Sequence, residues 1–270
     1  MINKDTILCI SISGRPSDFG TTIHNAGFRS LGLNYLYKAF KVTDLAGAVR
    51  GIRALGIRGC GVSMPFKESI LEQLDELDPM ARAIGSVNTV VNENGKLIGY
   101  NTDVVGARIV LESAGLRRSD TVLMVGAGGV ARAIMHAMRE LGFENVLVKN
   151  RTEERAAELI SGTPYRSLRW NSRDTVKVDL LINATPVGMT PDVESMPVAE
   201  NLLDLCGLVF DVVLSPPTSK LVRVARSKGK RVIPGYKMAL HQAAAQFRLY
   251  TGQEAPLAAM EEALLRFIQQ

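Results

Sequence analysis

Three polar strings break otherwise apolar segments in the N-terminal part of the chain: Val62-Ser63-Met64-Pro65-Phe66-Lys67-Glu68, Ser86-Val87-Asn88-Thr89 and Gly99-Tyr100-Asn101-Thr102-Asp103. All three fall at the ends of strand-length or hairpin-length runs. Lys67 follows a proline and is expected to open a helical segment, while Asp103 follows an apolar strand. An amine, a carboxamide and a carboxylate converging at sheet ends is how open α/β sheets build a polar pocket beside a cofactor domain. A base in such a pocket must lie within hydrogen-bond reach of the proton it takes. Lysine serves only where part of it is neutral: burial favours the amine, a carboxylate beside it favours the ammonium, and the sequence leaves that balance open. Taken singly, Lys67 reads equally well as a surface lysine at a helix start and Asp103 as a helix N-cap.

A second motif binds rather than reacts. Val122-Leu123-Met124-Val125-Gly126-Ala127-Gly128-Gly129-Val130-Ala131 is a buried strand running into G-x-G-x-x-A and then a helix, Arg132 to Leu141. That context aims backbone amides at a pyrophosphate from a helix N-terminus, with Gly126, Gly128 and Gly129 in the turn and Ala131 allowing close packing. A glycine turn serving only chain reversal is the plainer alternative. The next strand ends Val148-Lys149-Asn150-Arg151-Thr152, where an NAD site would carry a carboxylate for the ribose hydroxyl. Basic residues remove the repulsion against a 2′-phosphate and supply matching donors, which favours NADP. Arg155 lies one helical turn beyond Arg151, so both reach one phosphate if that helix begins near Thr152.

The elements that must position these groups alternate between strand-length apolar runs and amphipathic helices, the pattern of an α/β fold with a sheet covered by helices. Strands are expected at Ile7 to Ile12, Leu33 to Phe40, Gly59 to Met64, Thr89 to Asn92 and Leu97 to Tyr100, the last two joined as a hairpin through Glu93-Asn94-Gly95. Further strands are expected at Thr121 to Val125, Asn145 to Lys149, Leu180 to Asn183, Val209 to Val213 and Arg231 to Ile233, and a helix at Glu153 to Ile160. This divides the chain into a substrate domain over 1–104, completed by helices from 237–270, and a Rossmann-type nucleotide domain over 105–236.

Composition narrows the function classes. Lysines and arginines are scattered despite a net charge of +5, which argues against nucleic acid. No segment has the length and apolarity of a membrane span or a secretory signal. Cys9, Cys60 and Cys206 form no C-x-x-C pair, so no metal or redox motif is indicated, and a cytoplasmic enzyme that is a monomer or homodimer is expected. His24 and His136 fall in helical stretches as packing or surface residues, and His241, beside Gln242, is given no catalytic part.

The three polar strings resemble the V-T-x-P-x-K, A-V-N-T and G-x-N-T-D signatures of the shikimate dehydrogenase family. Asn150-Arg151-Thr152 with Arg155 resembles its N-R-T-x-x-R clasp for NADP, and Asn183-Ala184-Thr185-Pro186-Val187-Gly188-Met189 its N-A-T-x-x-G-M. Gly235 to Phe247, containing Gln242, is similar to its G-x-x-M-L-x-x-Q-A helix. The resemblance implies that Lys67 and Asp103 are the catalytic pair and that Asn88 and Gln242 hold ring hydroxyls. It also implies that Thr185 belongs to the cofactor site and that Met189 and Gly235 border the nicotinamide. The implied reaction is reversible reduction of 3-dehydroshikimate by NADPH, in aromatic amino acid (chorismate) biosynthesis. In matched strings, surface-lysine and N-cap readings of Lys67 and Asp103 lose ground.

Two departures bear on the substrate. Typical members carry G-N-P-I-x-H-S-x-S-P, whose serines bind the substrate carboxylate; this chain has a shorter Ser13-Gly14-Arg15-Pro16-Ser17-Asp18-Phe19-Gly20-Thr21-Thr22. Thr21 or Thr22 supplies one hydroxyl in its place and Ser13 or Ser17 another, with Ser13 and Thr22 the preferred pair. Leu214 stands where the family usually has a tyrosine. A site built around hydroxyl donors discriminates strongly, so these losses weaken shikimate as a substrate. They resemble the shikimate dehydrogenase-like subgroup and leave quinate or aminoshikimate oxidation as alternatives, with an NADP-binding regulator lacking turnover as the alternative of another class.

Overall fold

β-Branched residues alternating with small ones build the first strand, β1 (Ile7–Ser13), and Cys9, Ile10, Ile12 and Ser13 are buried on it. The computed structural model describes residues 2–171 and 176–269 and divides the chain into two units, Met1–Val105 with Leu240–Gln270, and Gly106–Ala239. Both are built from strands and helices in the α/β manner.

In the first unit β1 is followed by α1 (Phe19–Ser30), β2 (Tyr35–Lys41), α2 (Leu45–Ala54), β3 (Gly59–Val62), β4 (Glu76–Leu77), α3 (Pro79–Ile84), β5 (Thr89–Glu93) and β6 (Lys96–Tyr100). The sheet order is β2-β1-β3-β5-β6-β4, parallel through β2, β1 and β3, with β5 antiparallel to both neighbours. The hairpin turn is as expected: Glu93 pairs with Lys96, and Asn94 and Gly95 take φ of 53° and 95°, which asparagine and glycine tolerate. Ile52, Ile70 and Leu97 fill the core under the sheet, each worth about 1.5–3 kcal/mol on burial.

Helix α4 (Asp103–Ser113) leads to the second unit: β7 (Thr121–Val125), α5 (Gly129–Glu140), β8 (Asn145–Lys149), α6 (Glu153–Leu159), β9 (Arg166–Leu168), β10 (Val178–Asn183), β11 (Cys206–Asp211), α7 (Lys220–Ser227) and β12 (Arg231–Pro234). The six strands are parallel in the order β12-β11-β10-β7-β8-β9, the doubly wound Rossmann order. Its topological switch point lies between β7 and β10, where ligands bind such sheets. The chain ends in α8 (Gly235–Thr251) and α9 (Leu257–Ile268). Helix α9 packs on α1, where Gly27 leaves room for Phe247 and Met260: an added Cβ would lie 2.9 Å from the Phe247 ring.

Four expectations need correction. Lys67 does not open a helix; residues 64–70 form successive turns that end in a 3-10 turn at Leu71–Gln73. The reason is that the Lys67 carbonyl accepts from Val87 N–H at 2.8 Å, so it is unavailable to the fourth residue on. Strand β11 runs over Cys206–Asp211 rather than Val209 to Val213, and it stops at Asp211 because that side chain captures Val213 N–H at 3.1 Å and turns the chain. Helix α5 starts at Gly129, three residues before Arg132, with Gly128 as its N-cap. Strands β4 and β9 were not expected, being two and three residues long and without a buried apolar run.

Candidate active site

Backbone hydrogen bonds stitch the polar strings of the first unit together. Gly14 N–H donates to Met64 O at 2.9 Å, Val62 N–H to Asn88 O at 2.7 Å, and Asn88 N–H to Tyr100 O at 3.1 Å. The first and third strings leave the ends of β3 and β6 and the second enters β5, so their side chains are delivered at the ends of strands of one sheet.

Lys67 Nζ donates to Asp103 Oδ2 at 2.5 Å, with the two side chains only 13% and 8% exposed. Asp103 opens α4, where a helix N-terminus favours a carboxylate. Its other oxygen accepts from Asn88 Nδ2 at 2.9 Å, and that amide nitrogen also faces Thr102 Oγ1 at 2.9 Å and Gln242 Oε1 at 3.2 Å. Asn88 Oδ1 receives Thr102 N–H at 2.7 Å and the Thr89 hydroxyl at 2.8 Å. The fold thus brings Lys67, Asn88, Asp103 and Gln242 into one hydrogen-bonded cluster. A buried carboxylate is tolerable only with such partners.

Ser13 is buried at the end of β1 and its carbonyl accepts Val42 N–H at 2.9 Å; Thr22 is half-buried in α1, its N–H bonded to Asp18 O at 2.8 Å. Among the described residues, neither side chain is hydrogen-bonded to the cluster. Ser17 is exposed. Sequence reasoning missed two members of the surrounding network: Gln246, which touches Thr89, and His24, which touches Gln246. The signal for Gln246 was its place one helical turn beyond Gln242. His24 is fully enclosed, and burial lowers its pKa to about 4 against the opposing effect of its hydrogen bond to Gln246 Oε1.

In the second unit the glycines have separate tasks. Gly126 has φ 116°, and an added Cβ would lie 2.7 Å from Ala184 O, so only glycine fits where the turn crosses the end of β10. Gly128 has extended backbone, and a Cβ there would meet nothing within 4 Å. The open space at Gly128, at the N-terminus of α5 where a helix presents its first-turn N–H groups, fits a pyrophosphate. Gly129 starts the helix, and Ala131 is fully buried beneath it. At the end of β8, Asn150 Nδ2 donates to Thr152 O at 2.7 Å, Thr152 is the N-cap of α6, and Arg155 lies in its first turn. Arg151 and Arg155 are exposed on the same short segment, the arrangement that suits a terminal phosphate.

Two loops at the other side of the switch point are tied by a buried carboxylate. Asp211 accepts from Asn183 Nδ2 at 2.9 Å, from Val213 N–H and from the Ser219 hydroxyl, and burial raises its pKa. Asn183 Oδ1 in turn receives Thr185 N–H and its hydroxyl at 3.1 and 2.6 Å, which shapes the turn leading to Met189. Thr190 N–H donates to Ser215 O at 2.8 Å, beside the half-buried Leu214. Gly235 is required by packing: a Cβ would sit 2.6 Å from the Val212 backbone. Among the described residues, no group of three or more His, Cys, Asp or Glu is placed to hold a metal ion, and no helix is long and apolar enough to cross a membrane.

The shikimate dehydrogenase substrate binding domain matches residues 19–90, the shikimate / quinate 5-dehydrogenase domain residues 109–194, and the shikimate 5′-dehydrogenase C-terminal domain residues 235–265. A shikimate dehydrogenase-like protein of Haemophilus influenzae is 44% identical over 255 residues, spanning 94% of this chain and 93% of its own length. A shikimate dehydrogenase (NADP(+)) of Moorella thermoacetica is 41% identical over 270 residues, 94% and 92% of the two chains. The shikimate 5-dehydrogenase of Thermus thermophilus, solved in complex with NADP(H) and shikimate, superposes with a TM-score of 0.85 at 34% identity, covering 96% of this chain and 99% of that one. With matches in all three parts of the chain and relatives aligned from end to end, the protein belongs to the shikimate dehydrogenase family.

Proposed function

We propose that the protein is an NADP-dependent oxidoreductase that interconverts a shikimate-type ring alcohol and its ketone, with Lys67 and Asp103 as the proton-handling pair. The observation that carries this is the Lys67–Asp103 contact of 2.5 Å, held by Asn88 and Gln242. Relatives named shikimate dehydrogenase (NADP(+)) support the same activity.

Asp103 has both oxygens engaged, one by Lys67 and one by Asn88, whereas among the described residues Lys67 Nζ makes a hydrogen bond to Asp103 alone. The step uses Lys67 as its free amine: one N–H stays on Asp103, which orients it, and the nitrogen lone pair takes the alcohol proton on oxidation and returns it on reduction. Asn88 and Gln242 present amide groups that hold ring hydroxyls. NADP, when bound, supplies the nicotinamide that accepts or returns the hydride. Gly126, Gly128, Gly129 and Ala131 would hold its pyrophosphate, Asn150, Arg151, Thr152 and Arg155 its 2′-phosphate, and Thr185, Met189 and Gly235 the nicotinamide end. The first unit is then the substrate domain and the second the NADP domain. Three buried free cysteines suit work in the cytoplasm.

The substrate is the finer question, and the loop from Ser13 to Thr22 bears on it. Ser13 and Thr22 provide its hydroxyls for a ring carboxylate, and Leu214 provides none. This favours a ring related to shikimate, such as quinate or aminoshikimate, as a competing substrate. NADPH formation measured in parallel on shikimate, quinate and aminoshikimate tests the proposal: turnover on at least one is expected, and turnover on none would support an NADP-binding regulator instead.

A further inference from the structure

Behind the Lys67–Asp103 pair, hydrogen bonds run inward to a buried imidazole. Gln246 directs Nε2 at Asn88 O, 3.2 Å away, and at Thr89 Oγ1, 2.9 Å away. The reversed amide would set Oε1 against the Asn88 carbonyl oxygen, two acceptors with no proton between them, so the orientation is determined. Oε1 then faces His24 Nε2 at 3.3 Å. A carboxamide oxygen only accepts, so Nε2 carries the imidazole proton. Among the described residues His24 Nδ1 is buried without a hydrogen-bond partner, and the ring stacks on Tyr37 at 4.4 Å between centroids. Burial keeps this imidazole neutral.

From His24 the donors run in one direction. The Thr89 hydroxyl accepts from Gln246 and passes its own proton to its shortest contact, Asn88 Oδ1 at 2.8 Å. With Oδ1 so engaged, and also bonded to Thr102 N–H, Asn88 must turn Nδ2 toward Asp103. We propose that His24 and Gln246 are positioning residues: neutral His24, protonated on Nε2, donates to Gln246 Oε1 and so locks the Gln246–Thr89–Asn88 chain in the orientation that holds Asp103 against Lys67. This rests on the reading of Lys67 and Asp103 as the proton-handling pair. Thr102 N–H remains as a second anchor for Asn88, so loss of the chain loosens the pair without dismantling it.

The test compares Gln246→Met, which keeps length and volume without polar contacts, His24→Phe, which keeps the ring stack without an N–H, and His24→Gln, which restores an N–H donor. Kinetics with NADP and the ring alcohol are measured beside melting temperatures and beside Lys67→Ala. Gln246→Met and His24→Phe are expected to lower kcat about tenfold with KM for both substrates held, and His24→Gln to recover most of the loss. A purely structural role would lower melting temperature and leave kcat of the folded enzyme unchanged, and wild-type kcat in both folded variants overturns the proposal. NMR of isotopically labelled histidine nitrogens in the wild-type protein gives an answer independent of how the variants fold. A neutral Nε2–H ring at His24 is expected, and an Nδ1–H ring or an imidazolium at neutral pH overturns the chain's direction. Absence of wild-type turnover on every ring alcohol would count against the proton-handling reading of Lys67 and Asp103, whereas the histidine spectrum still decides the relay.

Discussion

Lys67 Nζ and Asp103 Oδ2 lie 2.5 Å apart although one residue sits in the turns after β3 and the other in the first turn of α4. Two backbone bonds make this possible. Val87 N–H holds the Lys67 carbonyl, and Asn88 N–H holds Tyr100 O, so the three polar strings are fixed to one another before any side chain meets. The ion pair is then an outcome of sheet register, and Asn88 secures it from behind.

The two glycines of the nucleotide turn are expected to fail differently. Gly126→Ala forces a Cβ into the Ala184 carbonyl at a positive φ, which should lower stability by about 2 kcal/mol or more. Gly128→Ala meets open space in an extended conformation, so melting temperature should hold while KM for NADP rises about tenfold. Melting curves and cofactor titrations on both variants check this; equal behaviour of the two would be inconsistent with a pyrophosphate over Gly128.

Arg151 offers its guanidinium to a 2′-phosphate that NAD lacks. Arg151→Glu should therefore reduce the preference for NADP over NAD about a hundredfold, the scale of one or two charge-assisted hydrogen bonds. Steady-state kinetics with each cofactor read the ratio directly. An unchanged ratio would remove Arg151 from cofactor selection.

His24 should make stability depend on pH in a defined direction. Its ring contacts are Tyr37, Phe28 and Tyr250 and its hydrogen bond is to Gln246, so among the described residues no charged group compensates its burial. The folded-state pKa is lowered from 6.5 to about 4. Above the unfolded value neither state carries the proton and the group contributes no slope. Between the two values the unfolded chain binds a proton that the folded one refuses, so stability falls as pH falls. Over the full window this amounts to about 3 kcal/mol. Urea unfolding at about pH 7.5 and about pH 5 should show a difference of about 2 kcal/mol in wild type that is missing in His24→Phe. An equal slope in both proteins would assign the pH dependence to other groups.

The parts of this molecule legible in its sequence are those where chemistry sits at the end of a regular element. Val122 to Val125 running into Gly126 announced both a strand and a nucleotide turn, and Lys67, Asn88 and Asp103 each stood in a polar string beside an apolar run. The network behind them was not legible, because His24 and Gln246 are 222 positions apart and meet only when α8 packs against the first sheet. Lys67 misled as a helix start because its carbonyl is taken by Val87, a residue distant in sequence in the loop before β5, which no local propensity reveals. Gly235 matched a family string, yet its contact with the Val212 backbone explains that glycine on steric grounds alone. Asp211 read as the interior of a strand, whereas its side chain ends that strand and ties two loops.

The most direct test of the proton-handling pair is turnover of Lys67→Ala against wild type, with NADP and the best of the three ring alcohols, alongside NADP binding by the same variant. Loss of the group that takes the alcohol proton should lower kcat about a thousandfold and leave NADP affinity unchanged. Near-normal kcat in a folded Lys67→Ala protein would contradict the assignment and remove lysine from the reaction.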